Sequence, residues 1–379
     1  MNITQSITNK ALELGFDLVH TIPASPSQSI EAYKQWLSLG YAGNMDYLKK
    51  HLENKQDIHT IMPEIRSVIT LAINYRTTTI PCSKKNNPSL GVISSYAWGE
   101  DYHQIVRKKL ESLRAFIENH VPHQKKSRVY VDTGPILERE YAHRGSLGWF
   151  GKNSMIINWK KGSWLFLAEI LLDIELAYSP FSVRGDCGSC TRCIEACPTN
   201  AIVADGLIDS RRCISYLTIE LKGAIPSELR SAIGNLIFGC DICQDVCPWN
   251  RKAPVSNEAG FQPTTGNIMP NLISLMSLSP KEFNQRFKTS PIKRTKRKGL
   301  LRNVAIALGN WGRPEAIPAL KQGLADEQPL IRMHSAWGLG QIEHQDAHDA
   351  LAAAQKQEQD TGVLQEIRGA LLVHHTPKL

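Results

Sequence analysis

The chain has 379 residues, a formal charge of +8 and 42% hydrophobic residues, a length that accommodates two or three domains, each with its own core. Its longest apolar stretch, from Trp164 to Leu172, is interrupted by Glu169 and is far too short to span a bilayer. The first eleven residues lack the basic and apolar regions of a signal peptide, and Arg211-Arg212 lies mid-chain, where it cannot act as an export signal; a soluble cytoplasmic protein is expected.

In chain order, residues 1–180 alternate helical and strand patterns. Residues 30–39 and 105–117 carry apolar side chains at helical spacing, and residues 68–73 read as a buried strand. Residues 129–131 read as a short strand running into the turn Asp132-Thr-Gly-Pro135, where an aspartate would ordinarily serve as a turn residue. Residues 165–172 fit a strand or a helix, the strand being preferred. The mixture predicts an α/β domain with a central sheet. No GxGxxG follows a strand and no phosphate-cradling loop is present. Asp132-Thr-Gly134 and Asp360-Thr-Gly362 match the triplets of aspartic proteases, but the second lies between helices, where no β-loop presents it.

Residues 181–255 read as a ferredoxin-like segment. Eight of the nine cysteines fall within 61 residues. Cys187-x2-Cys190-x2-Cys193-x3-Cys197-Pro198 has the cadence of bacterial ferredoxins, and Cys240-x2-Cys243-x3-Cys247-Pro248 repeats its second half, with Cys213 as the remaining ligand. The last cysteine of such a run ligates the other cluster in two-cluster proteins. The expected sets are therefore Cys187, Cys190, Cys193 and Cys247 for one [4Fe-4S] cluster, and Cys213, Cys240, Cys243 and Cys197 for the other. Zinc pairs lack this cadence, and disulfides need an oxidising compartment. Two oxidised clusters at roughly −2 each would bring the holoprotein to about +4. Cys82, in a polar loop with Lys84 and Lys85, is expected to bind no metal.

Residues 256–300 read as a connecting segment that ends in a basic cluster. Lys293, Arg294, Lys296, Arg297, Lys298 and Arg302 lie within ten residues, which fits either a solvated face or a nucleic-acid contact. Residues 301–379 contain an internal repeat: Ala305, Leu308 and Gly309 recur 31 residues later as Ala336, Leu339 and Gly340. Amphipathic helices over 314–324 and 345–356 and a worn third repeat from 363 predict a short HEAT-like α-solenoid, with the basic cluster preceding its first helix.

Several blocks resemble the epoxyqueuosine reductase family. They are Tyr96-Ala-Trp-Gly-Glu-Asp-Tyr-His103, Val131-Asp-Thr-Gly-Pro-Ile-Leu-Glu-Arg139, Leu147-Gly-Trp-Phe-Gly-Lys-Asn153, Arg211-Arg-Cys-Ile-Ser-Tyr-Leu-Thr-Ile-Glu220 and Gly239-Cys-Asp-Ile-Cys-Gln-Asp-Val-Cys-Pro-Trp249. Gly145-Ser146 departs from the Ala-Gly usual there. The resemblance implies a cobalamin-binding α/β domain related to reductive dehalogenases and two [4Fe-4S] clusters feeding cobalt. The substrate it implies is a tRNA whose wobble epoxyqueuosine becomes queuosine. It also implies Asp132 as proton donor, and Lys55, Tyr96, Asp132, Ser154, Ser215, Asp241 and Arg144 near the corrin. Lys222, Lys293, Arg294, Lys296, Arg297 and Lys298 are the candidate tRNA contacts. The Asp-x-His-x-x-Gly fingerprint that gives cobalt a histidine begins at Asp57-Ile58-His59 but has Met62 at the glycine position. The expected enzyme is a monomer reduced by an external low-potential donor. A reductive dehalogenase fits the repeats and the basic cluster poorly, and a bare electron carrier leaves the first domain's motifs without a use.

Overall fold

The computed structural model describes residues 2–78, 80 and 87–375; Cys82 lies outside them. The chain forms two compact units that interleave in sequence: Met1–Thr78, Glu100–Arg211 and Asp241–Gln262 make the first, and Thr79–Gly99, Arg212–Cys240 and Pro263–Leu379 the second.

The first unit is built on an antiparallel sheet of β1 (Leu18–Pro23), β2 (Ser67–Asn74), β3 (Ser127–Tyr130) and β4 (Leu165–Leu172), in the order β1-β2-β4-β3. The two central strands, β2 and β4, are apolar along most of their length because both faces are covered. That double burial explains why residues 165–172 carry no period-2 signal although they form a strand. Helices α1 (Ile3–Glu13), α3 (Tyr102–His120) and α4 (Glu138–Arg144) pack on the sheet, and α2 (Ile30–Ser38) belongs to the same unit. Asp101 caps α3 by accepting from the His103 amide at 3.1 Å. Val106, Leu110, Leu113 and Ile117, one helical face, are buried.

One polar row crosses this sheet. His20 pairs with Thr70, Thr70 with Glu169, and Glu169 with Tyr130, so the four side chains share a face. Helix α4 lies over that face: Tyr141 packs with Ile22, Val68 and Leu171. A Cβ on Gly145, at the end of α4, would stand 2.1 Å from the Thr70 hydroxyl. Ser146 takes the left-handed φ of 59°. Thr70 and the Tyr141 carbonyl thus crowd the place of a side chain at 145.

The second unit carries the helical repeats α5 (Lys296–Trp311), α6 (Ile317–Leu324), α7 (Pro329–Gly340), α8 (Gln345–Gln355) and α9 (Thr361–His375). The repeated glycines allow close helix approach: a Cβ on Gly309 would lie 2.7 Å from the Gly338 Cα, and one on Gly340 would lie 2.7 Å from the Ala370 Cβ. The basic cluster does not wholly precede this array, because Lys296, Arg297, Lys298 and Arg302 belong to α5. Arg302 is fully buried. It donates to the carbonyls of Leu217 at 2.6 Å and of Leu221 and Gly223 at 2.7 Å, so it is a core arginine and not part of a solvated face. Arg302→Leu orphans these acceptors and should lower unfolding free energy by about 3 kcal/mol, read from urea denaturation.

Candidate active site and iron–sulfur centre

Asp132 follows β3 with φ at 58°, a left-handed conformation sparsely populated by non-glycine residues. Its Oδ2 accepts from the Tyr102 hydroxyl at 2.7 Å and lies 3.0 Å from His103 Nε2. His103 Nδ1 lies 2.7 Å from Asp101 Oδ1. Tyr102 is itself held by stacking on Phe166 of β4, with ring centroids 4.1 Å apart and planes within 5°. Burial alone would lower the His103 pKa, but hydrogen bonds to Asp101 and Asp132, with their charges, raise it to about 9. At neutral pH His103 is therefore an imidazolium between two carboxylates, and the His103–Asp132 pair holds a proton. The Asp132 side chain is 52% exposed, so the pair has an open side. A Cβ on Gly134 would stand 2.7 Å from the Tyr130 ring, which is why the turn needs glycine two residues on.

Two further carboxyls lie behind this group. Glu169 is fully buried on β4, and neither of its oxygens has a hydrogen-bond partner among the described residues. Glu138, at the start of α4, is half-buried as a residue, yet its Oε1 is sealed from solvent and also unpartnered. Burial and then the charge of Asp132 push the Glu138 carboxyl up to about 8, and burial and then the charge of Glu138 hold Glu169 well above the carboxylate range. Tyr102, His103, Glu138 and Glu169 are not among the site residues expected from sequence. The first three lie inside the blocks quoted above, and Glu169 is visible there only as an interruption of an apolar run.

In the first unit Cys187, Cys190, Cys193 and Cys247 line one cavity with Lys152, Asn153, Ile157 and Trp249. The thiols sense one another: burial and then the Cys187 charge raise Cys193, and burial, Cys187 and Cys190 raise Cys247. Cys243, four residues before Cys247, does not line that cavity. Cys197 and Cys243 also belong to the first unit, and Cys213 and Cys240 to the second. Cys197 Sγ accepts from the Ala201 amide at 3.3 Å.

Other candidates differ in how they are disposed. Tyr96, Ser154, Ser215 and Asp241 are half-buried. Tyr96 packs on Phe238, and Ser154, at φ 65°, is held by Arg139, which donates to its carbonyl at 2.5 Å and to its hydroxyl. Lys55 is buried and gives its ammonium to the carbonyls of Lys50 at 2.6 Å and Leu48 at 3.3 Å. Arg144 is paired with Glu140 at 3.6 Å. Asp57 and His59 engage each other at 2.6 Å, and Met62 is core. Among the cations, Arg297 pairs with Asp326 at 2.6 Å and Arg294 with Glu220 at 2.5 Å. Lys222, Lys293, Arg294 and Lys296 are exposed. Partial desolvation lowers the Lys222 pKa; Glu220 opposes this, and the charges of Arg294, Arg302 and Lys296 add to it, so these cations crowd together.

Residues 55–133 match the family described as Epoxyqueuosine reductase QueG, DUF1730, residues 186–250 the 4Fe-4S double cluster binding domain, and residues 293–371 HEAT repeats. The Escherichia coli K12 epoxyqueuosine reductase is 41% identical over 347 residues, 91% of each chain. The chain belongs to the epoxyqueuosine reductase family. The Synechocystis member is 42% identical over 292 residues, covering 76% of this chain and 98% of its own. A crystal structure of an epoxyqueuosine reductase with an epoxyqueuosine-modified tRNA-Tyr stem loop superposes at a TM-score of 0.92, with 29% identity over 99% of both chains. A Bacillus subtilis epoxyqueuosine reductase whose catalytic loop, named for an aspartate, is swung out of the active site superposes at 0.89, with 29% identity over 98% of both chains.

The chain therefore carries a domain for two [4Fe-4S] clusters, and the reconstituted protein should hold about eight iron atoms. Cys247→Ser should reduce this to about four, because Cys247 shares the cavity of Cys187, Cys190 and Cys193; iron analysis with electron paramagnetic resonance of the reduced protein checks it.

Proposed function

We propose that this enzyme reduces the epoxide of epoxyqueuosine at the wobble position of tRNA to the alkene of queuosine, using cobalamin and the two clusters. The observation that carries the reading is the Asp101–His103–Asp132 array, a poised proton source with an exposed carboxylate, in a chain whose family is defined by this substrate. Removing an epoxide oxygen as water takes two electrons and two protons, and each cluster carries one electron at a time.

The residues present would suit a corrinoid. The Asp57–His59 pairing engages the one fingerprint histidine, and Tyr96, Ser154, Ser215 and Asp241 offer half-buried hydroxyl and carboxyl groups of the kind that bond its peripheral amides. Lys55 fits less well, because its ammonium is engaged by main-chain carbonyls. When bound, cobalamin supplies a centre able to undergo a two-electron change at the substrate.

Asp132 then acts as the general acid. As the carboxylate of the pair, held in place by Tyr102, it takes the His103 Nε2 proton and passes that same proton to the leaving oxygen. An alkoxide is a poor leaving group, and protonation in the transition state removes that barrier. Ligation of the second cluster by Cys213, Cys240, Cys243 and Cys197 belongs to the same reading, with electrons from an external low-potential donor. Asp132→Asn keeps shape and hydrogen bonding but delivers no proton, so iron content and cobalamin binding should be retained while the rate falls by roughly 10²–10⁴. Near-normal epoxide reduction by the Asp132→Asn enzyme would sink the assignment.

For the tRNA body, the exposed cations Lys222, Lys293 and Lys296 are the contacts we favour over Arg294 and Arg297, whose charges pair with Glu220 and Asp326. Lys296, Arg297 and Lys298 open α5, where cations oppose the helix dipole by a few tenths of a kcal/mol each and where a phosphate would relieve them. Replacing Lys222, Lys293 and Lys296 with Gln should weaken tRNA binding and flatten the plot of log affinity against log salt by roughly 0.7–0.9 per lost contact. Unchanged affinity and slope would move the tRNA surface elsewhere.

A further inference from the structure

The site needs two protons for each epoxide, and the His103–Asp132 pair accounts for one. We infer that Glu138 and Glu169 keep a second proton inside the sheet and pass it, through Glu138, to Asp132 once Asp132 has delivered its own. This rests on the reading of Asp132 as the acid.

The geometry singles these carboxyls out. Glu169 has no exposed atom and no partner for either oxygen among the described residues. A lone carboxylate so placed is strongly disfavoured, and protonation removes the cost. Among the described residues no cation acts on Glu169. Asp132, His103 and Arg139 act on Glu138, and Tyr141 of α4 feels Glu169. Along the polar row stand Tyr130 and Thr70, with His20 beyond, whose pKa burial lowers and whose Nδ1 is unpartnered. The cation nearest the chemistry, His103, lies on the Asp132 side. Burial and Asp132⁻ oppose charge on Glu138, so Glu138 stays protonated in the resting site and gives its proton up only as Asp132 is drawn on.

The step balances. The external one-electron donor supplies two electrons through the clusters. The first proton, from the Asp132–His103 pair, goes to the epoxide oxygen as one C–O bond opens. The second, from Glu138 by way of Asp132, goes to the same oxygen as the other C–O bond breaks and water leaves. Asp132 reaches solvent only on its open side, which a bound nucleotide covers, whereas Glu138 approaches it from within the protein. Between turnovers, solvent reloads both stores.

Glu138 and Glu169 act through Asp132 and touch no substrate, so the test must separate proton supply from packing. Glu138→Gln and Glu169→Gln are isosteric; both should keep full iron and cobalamin content. With epoxyqueuosine-modified tRNA stem loop, kcat should fall roughly 10–100-fold in each, the range of lost proton-transfer assistance, with KM within about twofold. The alkaline limb of the kcat–pH profile, set in the parent by emptying of the pair, should move to lower pH in Glu169→Gln. Infrared spectra of the parent without substrate should show a carboxylic-acid C=O band at neutral pH that Glu169→Gln removes. A folded-state pKa raised above the unfolded value means that stability is fully present below the ordinary carboxylate range and is lost as pH rises through the raised value. Glu169→Gln should therefore flatten the decline of Tm with pH. If Glu138→Gln turns over at the parental rate with an unchanged pH profile while Asp132→Asn is inactive, the relay is wrong and the acid stands. If Asp132→Asn is itself active, both fall. Loss of stability in the Gln variants without a change in kcat assigns the pair to packing and also overturns the inference.

Discussion

The imidazolium of His103, held between Asp101 and Asp132, is the interaction on which the site depends. It ties the start of α3 to the loop after β3, and it does so with charge-assisted hydrogen bonds at 2.7 and 3.0 Å. Asp101 has a second duty, since the same carboxylate oxygen caps α3 through the His103 amide. The left-handed backbone at Asp132 costs on the order of 1 kcal/mol or more, and this clamp, with the Tyr102 hydroxyl, offsets it. Tyr102 is in turn fixed by its stack on Phe166. A chain of contacts therefore runs from a central strand to the Asp132 carboxylate, and little in it is free to move independently.

Local patterns in the sequence carry much of the fold. The cysteine cadence is legible because cluster ligation is set by short-range spacing, and the cavity of Cys187, Cys190, Cys193 and Cys247 draws its fourth member from the other run. The helical repeats are legible because Ala305, Leu308 and Gly309 recur with their packing role intact. Helix α3 extends three residues beyond each end of the periodic segment, to Tyr102 and His120, because its cap and its polar last turn carry no hydrophobic signal. What spacing does not give is where a polar side chain ends up. In sequence Glu169 is the interruption that forbids a membrane span, and only the sheet register shows that it faces inward beside Thr70 and Tyr130. The resemblance implies Lys55 as a cofactor contact, but its ammonium turns to main-chain carbonyls. Arg302 reads as one charge among six, although it alone of them is fully buried. A run of charges reports composition; the division between spent and exposed cations is decided by contacts 19 to 85 residues away in sequence, from Leu278 on Arg297 to Leu217 on Arg302.

The exchange at Gly145-Ser146 shows how the polar row constrains its surroundings. Thr70 stands between His20 and Glu169, and its hydroxyl occupies the space that an alanine methyl at 145 would fill. The left-handed turn then falls on a serine, whose hydroxyl accepts from the Ser182 amide at 2.8 Å and so gains an anchor that glycine lacks. The strain of that φ and the gain of that bond are of similar size, about 1 kcal/mol each.

Electron supply and proton supply face different physical limits in such a site. Electrons reach the substrate through metal centres that tolerate burial, so cysteine ligands can be half-buried and their clusters enclosed. Protons must come from groups that ionise, and ionisation in a buried place is costly unless a neighbour compensates. The first unit contains both solutions side by side: a cation shared by two carboxylates at the open edge, and a carboxyl pair under the helix that avoids charge by staying protonated. The first holds its proton by attraction and the second by exclusion of water. Asp132 acts on both arrangements, raising the pKa of His103 on one side and of Glu138 on the other, so its charge couples them.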